Sequence, residues 1–224
     1  MVNICCLLFK NDWTNPKYQN LDSVYDFSWV EKLYAMCERN ITYEFTFYCL
    51  TNIHFKHDSI INIPILNNKP STYDKLQLFQ KNAIKDHPTV YFDLDVVITN
   101  NIDQLFDIQE LTMVSKFCRN PFAKETAPNN GSIIGWIPNK YYWIYDIWKN
   151  ATNLPITEDQ LLTPLSTTYS QEIISSYTGN EVDLLWWDKP YTFNKKHIVI
   201  CFNKHSKKQD YYQNESLWIK DYWY

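Results

Sequence analysis

The chain has 224 residues, 45% of them hydrophobic and 17% aromatic, and a net charge of −4. That is enough for one domain with a substantial core, and it provides no overall basic field to draw the chain to nucleic acid. Glycine occurs only three times, which excludes a Gly-rich phosphate loop, so any phosphate must be held some other way.

In chain order, "NICCLLF" (3–9) is a continuous apolar run of the kind found in strands buried on both faces. "SWVEKLYAMCERN" (28–40) reads as a helix, with Ser28 and Glu31 as a capping box and Val30, Leu33, Tyr34 and Cys37 on one face. "YEFTFYCL" (43–50) reads as a strand, and "SIINIPIL" (59–66) as a weaker one limited by Pro64. "TYDKLQLFQKNAI" (72–84) has helical spacing at Leu76, Phe79 and Ala83, and "TVYFDLDVVI" (89–98) reads as a central strand. Further strands are expected at 112–117, 131–136, 181–187 and 197–202, and helices at 140–150 and 170–177. Strands alternate with helices in the first half, so the expected fold is α/β with a mostly parallel central sheet flanked by helices.

The six cysteines include no CxxC pair, and Cys5, Cys6, Cys49 and Cys201 lie in apolar runs, where a thiol acts as a small hydrophobe. A reduced, cytoplasmic protein is expected. The N-terminal apolar run is too short for a membrane span and lacks a basic lead or cleavage site. The sequons at Asn40, Asn150 and Asn214 read as chance matches in an Asn-rich chain.

Asp93 and Asp95 interrupt the most apolar stretch of the chain, "VYFDLDVVITNNIDQLF". A carboxylate in such surroundings is costly unless it is paired, hydrogen-bonded or bound to a metal. Residues two apart on a strand point the same way, so both can face one crevice at a strand's carboxyl end, where open α/β sheets bind ligands. Two carboxylates plus phosphate oxygens would suit Mn²⁺ or Mg²⁺.

The pattern of apolar strand, DxD, apolar residues and "NNIDQLF" resembles GT-A-fold nucleotide-sugar glycosyltransferases, the group around glycogenin and the bacterial galactosyltransferases. Other segments are similar in the same order. The resemblance implies a single GT-A domain over 1–210, followed by an aromatic tail at 211–224. It implies metal ligation by Asp93 and Asp95. Phe9, Asn11 and Tyr18 would lie near the base or ribose, and Lys75 in "YDKLQLF" would face the donor phosphates. Asn130 and Ser132 in "NNGSIIGW" would line the donor sugar. Asp159 and Gln160 in "EDQLLT" would stand near the transferred sugar and the acceptor, with Glu158 where the family has glycine. The family's "F-H-G-x-x-K-P" is replaced by "CFNKHSKKQD". Asn203 stands at the histidine's place, His205 is the candidate third metal ligand, and Lys204 and Lys207 are the candidate phosphate partners.

The activity so implied is metal-dependent transfer of a sugar from a UDP- or GDP-sugar to an acceptor hydroxyl, hexosyl transfer above others. The acceptor would be a glycan or lipid-linked glycan, with a modified DNA base less favoured by the net charge. "FDLDVVIT" also resembles the D-x-D-x-T motif of haloacid-dehalogenase-type phosphatases, and a non-catalytic nucleotide-binding GT-A domain is a third reading. The basic, aromatic tail would permit peripheral contact with the inner membrane face, or would pack on the domain. The Asn, Lys, Ile and Tyr usage suggests an AT-rich genome, bacterial or viral, in the latter case with a host-cytoplasmic location.

Overall fold

The computed structural model describes residues 1–10, 25–68, 70–115, 129–152, 158–170, 172–177, 194–202 and 217–224. Among these residues, a seven-stranded sheet has the order Ile60–Pro64, Phe45–Thr51, Val2–Leu8, Thr89–Phe92, Asn129–Trp136, Thr112–Ser115, Thr167–Thr168. Its strands are β1 (Val2–Leu8), β2 (Phe45–Thr51), β3 (Ile60–Pro64), β4 (Thr89–Phe92), β6 (Thr112–Ser115), β7 (Asn129–Trp136) and β8 (Thr167–Thr168). β3, β2, β1 and β4 run parallel, β7 is antiparallel to both β4 and β6, and β8 is parallel to β6. A second sheet, β5-β10-β9, joins β5 (Val96–Ile98), β9 (Ile174–Tyr177) and β10 (Val199–Phe202). The expected mostly parallel α/β core is present.

Strand β1 shows why the run 3–9 is apolar throughout. Ile4, Cys6 and Leu8 pack on one face with helix α1 (Phe27–Asn40), through its Val30, Leu33, Met36 and Cys37. Cys5 and Leu7 pack on the other, with Leu76, Phe79 and helix α3 (Trp143–Asn150). Alternate residues therefore enter two different hydrophobic layers. Burial pushes the Cys5, Cys6, Cys37 and Cys201 thiols up, so they act as hydrophobes and not as nucleophiles.

Several local expectations are corrected. The run 89–98 is two strands, not one. β4 ends at Phe92, residues 93–95 turn, and β5 continues into the second sheet. Helix α1 is capped by Asp26, whose Oδ1 accepts from the Ser28 N–H at 2.9 Å, so Ser28 is not the cap. Thr72–Phe79 is a 3₁₀ helix and stops five residues short of the expected end. Gln77 stitches it to the end of β3, donating to the Pro64 carbonyl at 2.8 Å and accepting from the Leu66 N–H at 3.0 Å. The helix expected at 140–150 is α2 (Pro138–Tyr141) and α3, with Tyr142 between them. The helix expected at 170–177 is instead strand β9, paired parallel to β10. The strand expected at 181–187 lies outside the described residues.

The described part of the aromatic tail contains helix α5 (Leu217–Lys220), and Ile219 is buried in the α1-side core. Tyr222 and Trp223 pack against that same core. Among the described residues, no helix is long and apolar enough to cross a membrane.

Candidate active site at the carboxyl edge of the sheet

β1 and β4 are parallel, with Cys5 opposite Tyr91, so their carboxyl ends share one edge of the sheet. The acidic turn sits at that edge. The Asp93 N–H donates to the Ser132 carbonyl at 2.8 Å, extending the β4–β7 ladder by one residue before the chain turns away. Beyond the turn, β5 pairs with β10, and Cys201 lies opposite Val96, next to Asp95.

β7 carries the irregularity that shapes this edge. Against β6 its register jumps, with Met113 opposite Ile134 but Val114 opposite Asn130. Gly131, Ser132 and Ile133 therefore have no partner residue in that ladder, and the backbone there is turned to other uses, as bulges beside active sites often are. The Gly131 N–H donates to Asp159 Oδ1 at 2.8 Å, and its carbonyl accepts from Lys75 Nζ at 3.2 Å. Glycine is needed there for space, because a Cβ would lie 2.8 Å from Asp159 Oδ1. Asn130 Oδ1 accepts from the Ser132 N–H at 2.9 Å and holds the bulge in shape.

Lys75 is the hub. It is only 4% exposed, and its ammonium reaches Asp93 Oδ1 at 3.3 Å and Glu158 Oε1 at 3.2 Å as well as the Gly131 carbonyl. An ammonium has three donors, and these three acceptors match them. Burial works to lower its pKa, but Asp93, Glu158 and Asp159 outweigh that and hold it above the ordinary lysine range. Lys75 was expected to face donor phosphates. Its position ties the acidic turn, the β7 bulge and helix α4 (Glu158–Leu162) together. Glu158, at the position expected to be glycine, completes that tie, since its Oε2 accepts from Thr72 Oγ1 at 2.9 Å.

The two aspartates of the turn differ. Asp93 is about one-third exposed (32%) and accepts from the Tyr91 hydroxyl at 2.7 Å in addition to Lys75. Asp95 is 6% exposed and its Oδ2 accepts from the Tyr25 hydroxyl at 3.1 Å. Sequence reasoning missed Tyr25 and Tyr91. Tyr91 lies within the quoted motif, two residues before Asp93. Tyr25 is 70 positions away from its partner and carries no motif.

Asp159 lies beside this hub. Burial pushes its carboxyl up to about 6, reinforced by the neighbouring charges of Glu158 and Asp93 and opposed by Lys75 and the Gly131 N–H. Gln160 follows on α4 and is half-buried. Ser132 is buried on β7, and Phe9, just beyond β1, packs against the α3-side layer. The structure thus brings Lys75, Asp93, Asn130, Ser132 and Asp159 together. Asn11, Tyr18, Asn203, Lys204, His205 and Lys207 lie outside the described residues.

Among the described residues, no group of three or more His, Cys, Asp or Glu side chains is arranged to hold a metal ion. Asp93, about one-third exposed, and Asp95, 6% exposed, lie in a turn and not on one strand face, and both offer hard carboxylate oxygens at this edge. Oxygen donors of this type suit Mg²⁺ or Mn²⁺, which one or two carboxylates can hold together with diphosphate oxygens and water.

No family model matches the sequence, and no curated relative does. Solved structures do match the fold. The galactosyltransferase LgtC, in complex with donor and acceptor sugar analogues, is 13% identical with a TM-score of 0.55, over 90% of this chain and 87% of that one. An active-site mutant of LgtC is 14% identical with a TM-score of 0.53, over the same shares. The glycosyltransferase GlyE of Streptococcus pneumoniae is 10% identical with a TM-score of 0.59, over 99% of this chain and 63% of that one. At these identities the likeness concerns architecture, and the chain has the GT-A fold of these glycosyltransferases.

Proposed function

We propose that the protein is a metal-dependent glycosyltransferase that moves a sugar from a UDP- or GDP-sugar to an acceptor hydroxyl. The observation that carries this is the Asp93–Leu94–Asp95 turn at the carboxyl edge of a fold shared with glycosyltransferases, with Asp93 bonded to Ser132 of β7 and linked through Lys75 to the bulge at Gly131, which Asp159 also meets. Open α/β sheets bind nucleotides at such edges.

Asp93 and Asp95 would hold Mn²⁺ or Mg²⁺, which when bound neutralises the diphosphate and makes it a better leaving group. Lys75 keeps Asp93 in place and stays charged at neutral pH, adding positive potential beneath the leaving group. Asn130, Ser132 and Gln160 supply amide and hydroxyl groups of the kind that recognise sugar hydroxyls. Asp159, oriented by the Gly131 N–H, is ionised above about pH 6 and would accept a hydrogen bond from the sugar or the attacking hydroxyl. Phe9, Asn11 and Tyr18 would meet the nucleoside, and Lys204, His205 and Lys207 would serve the diphosphate and metal. The acceptor would be a glycan or a lipid-linked glycan.

The test is nucleotide release from a panel of UDP- and GDP-sugars with Mn²⁺, for wild type and Asp95→Asn. Release by wild type from one donor, lost without metal and reduced at least about a hundredfold in the variant, supports the reading. Wild-type release that Asp95→Asn does not change would remove the acidic turn from the chemistry.

A further inference from the structure

We infer that the C-terminal segment 217–224 is a positioning element for Asp95, acting through Trp29 and Tyr25. The inference rests on the reading of Asp95 as a metal and diphosphate residue.

A tyrosine fixes a carboxylate only if its own ring is fixed. The Tyr25 ring meets Trp29 edge-on, centroids 4.9 Å apart at 87°, and its hydroxyl donates to Asp95. Tyr25 stands just before the Asp26 cap and Trp29 in the first turn of α1, so the chain entering the helix brings the two rings together. Trp29 in turn meets Trp223 edge-on, centroids 4.8 Å apart at 65°. Such ring pairs have preferred geometries and resist sliding. An unbroken run of three aromatic rings therefore leads from the C-terminal segment to the acidic turn.

The far end of this run is well anchored. Lys32 Nζ lies 3.6 Å above the Trp223 ring. Arg39 donates to the backbone oxygens of Tyr222 at 2.8 Å and Tyr224 at 2.9 Å, and its guanidinium lies over the Tyr224 ring. Trp29, Lys32 and Arg39 are three and seven residues apart, so they form one stripe of α1, and the segment docks along it. Ile219 is buried in the core. Together these contacts give the segment a fixed seat from which Trp223 backs Trp29, and Trp29 backs Tyr25. Simple packing would explain the docking alone. The continuation through Tyr25 to Asp95 is what assigns it a part at the site.

Two readouts on the full chain test this. The first is amide hydrogen exchange at residues 93–98 without ligand, in wild type, Tyr25→Phe, Trp223→Ala and Trp223→Phe. Loss of one hydrogen bond's worth of restraint predicts about fivefold faster exchange there in Tyr25→Phe and in Trp223→Ala, with β2 amides unchanged. Trp223→Phe retains a ring and is expected to behave as wild type. The double variant Tyr25→Phe/Trp223→Ala is expected to exchange no faster than Tyr25→Phe, because both act through one contact. The second readout is Mn²⁺ affinity in the presence of UDP or GDP, from the resonance of the free ion, with Asp95→Asn as reference. Weakening of about fivefold in Tyr25→Phe and Trp223→Ala is expected. Unchanged exchange at 93–98 in Trp223→Ala would overturn the coupling itself. Unchanged Mn²⁺ affinity in Asp95→Asn would overturn the metal reading, and the positioning role with it, even where the exchange effect is seen.

Discussion

On one flank of the acidic turn, Asp93 is held by a buried lysine that also grips Glu158 and the Gly131 carbonyl. On the other, Asp95 accepts from the Tyr25 hydroxyl, and that ring is backed by tryptophan rings. The two carboxylates are separated by a single residue, yet the chain turns between two packing layers. Tyr91 belongs to the α3-side layer and Tyr25 to the α1-side layer. The first flank is electrostatic, and removing one partner leaves uncompensated charge. On the second, the partner is a neutral hydroxyl set among aromatic rings, and removing it takes away a hydrogen bond but no charge. The turn therefore has one side held by an ion pair and one side held by a neutral hydroxyl.

The largest effect is expected at the hub. Lys75→Met leaves the buried Glu158 facing Asp93 and Asp159 with no cation between them, and should cost about 3 kcal/mol in urea unfolding. Adding Glu158→Gln should restore part of that loss, because it removes the charge left behind while an amide oxygen can still accept from Thr72. Full additivity of the two changes would show that they do not share a network.

Next comes Gly131→Ala. The added methyl meets Asp159 Oδ1 at 2.8 Å, so the carboxylate must move. A misplacement on the order of 1 Å predicts roughly a hundredfold loss of donor turnover. Measured kcat within threefold of wild type would mean that Asp159 is not a positioned group.

Asp159 also gives a pH prediction. Its folded pKa, about 6, lies above the ordinary carboxylate value of 3.8, so the folded state binds the extra proton between those values. The contribution of Asp159 to stability is therefore fully present below the lower value and is lost as pH rises through about 6, while the charged form needed at the sugar appears over the same interval. Asp159→Asn should flatten the decline in Tm across that window and remove the acid limb of the activity profile. An unchanged limb in the variant would assign it to another group.

The smallest expected effect on stability is that of Tyr25→Phe, about 1 kcal/mol, on the aromatic flank. A loss as large as that of Lys75→Met would erase the contrast between the two sides.

The sequence showed that something must meet Asp93 and Asp95, because carboxylates inside so apolar a run require partners. It did not show that the run changes sheets. Val96, Val97 and Ile98 are fully buried after the turn just as Val90 and Phe92 are before it, so hydrophobicity does not mark the break. What marks it is the pairing of Asp93 with Ser132 and of Val96 with Cys201, both long-range. Residues 170–177 misled for a related reason. Their apolar positions suit a helix as well as a strand, and the pairing of Ile174 with Val199 decides the matter. Lys75 was visible as a motif residue, but its burial depends on Glu158, Gly131 and Asp93, three partners far apart in the chain. The DxD turn, Lys75 and Asp159 were thus legible as residue types. Their arrangement came from tertiary contacts that no local pattern carries.

The most direct test of the central claim is calorimetric titration of UDP and GDP, with and without Mn²⁺, into wild type and Asp95→Asn. The account predicts that one nucleotide binds wild type only when Mn²⁺ is present, and that the variant loses this binding. Metal-independent binding of equal affinity in both proteins, or no binding of either nucleotide with Mn²⁺, would contradict it.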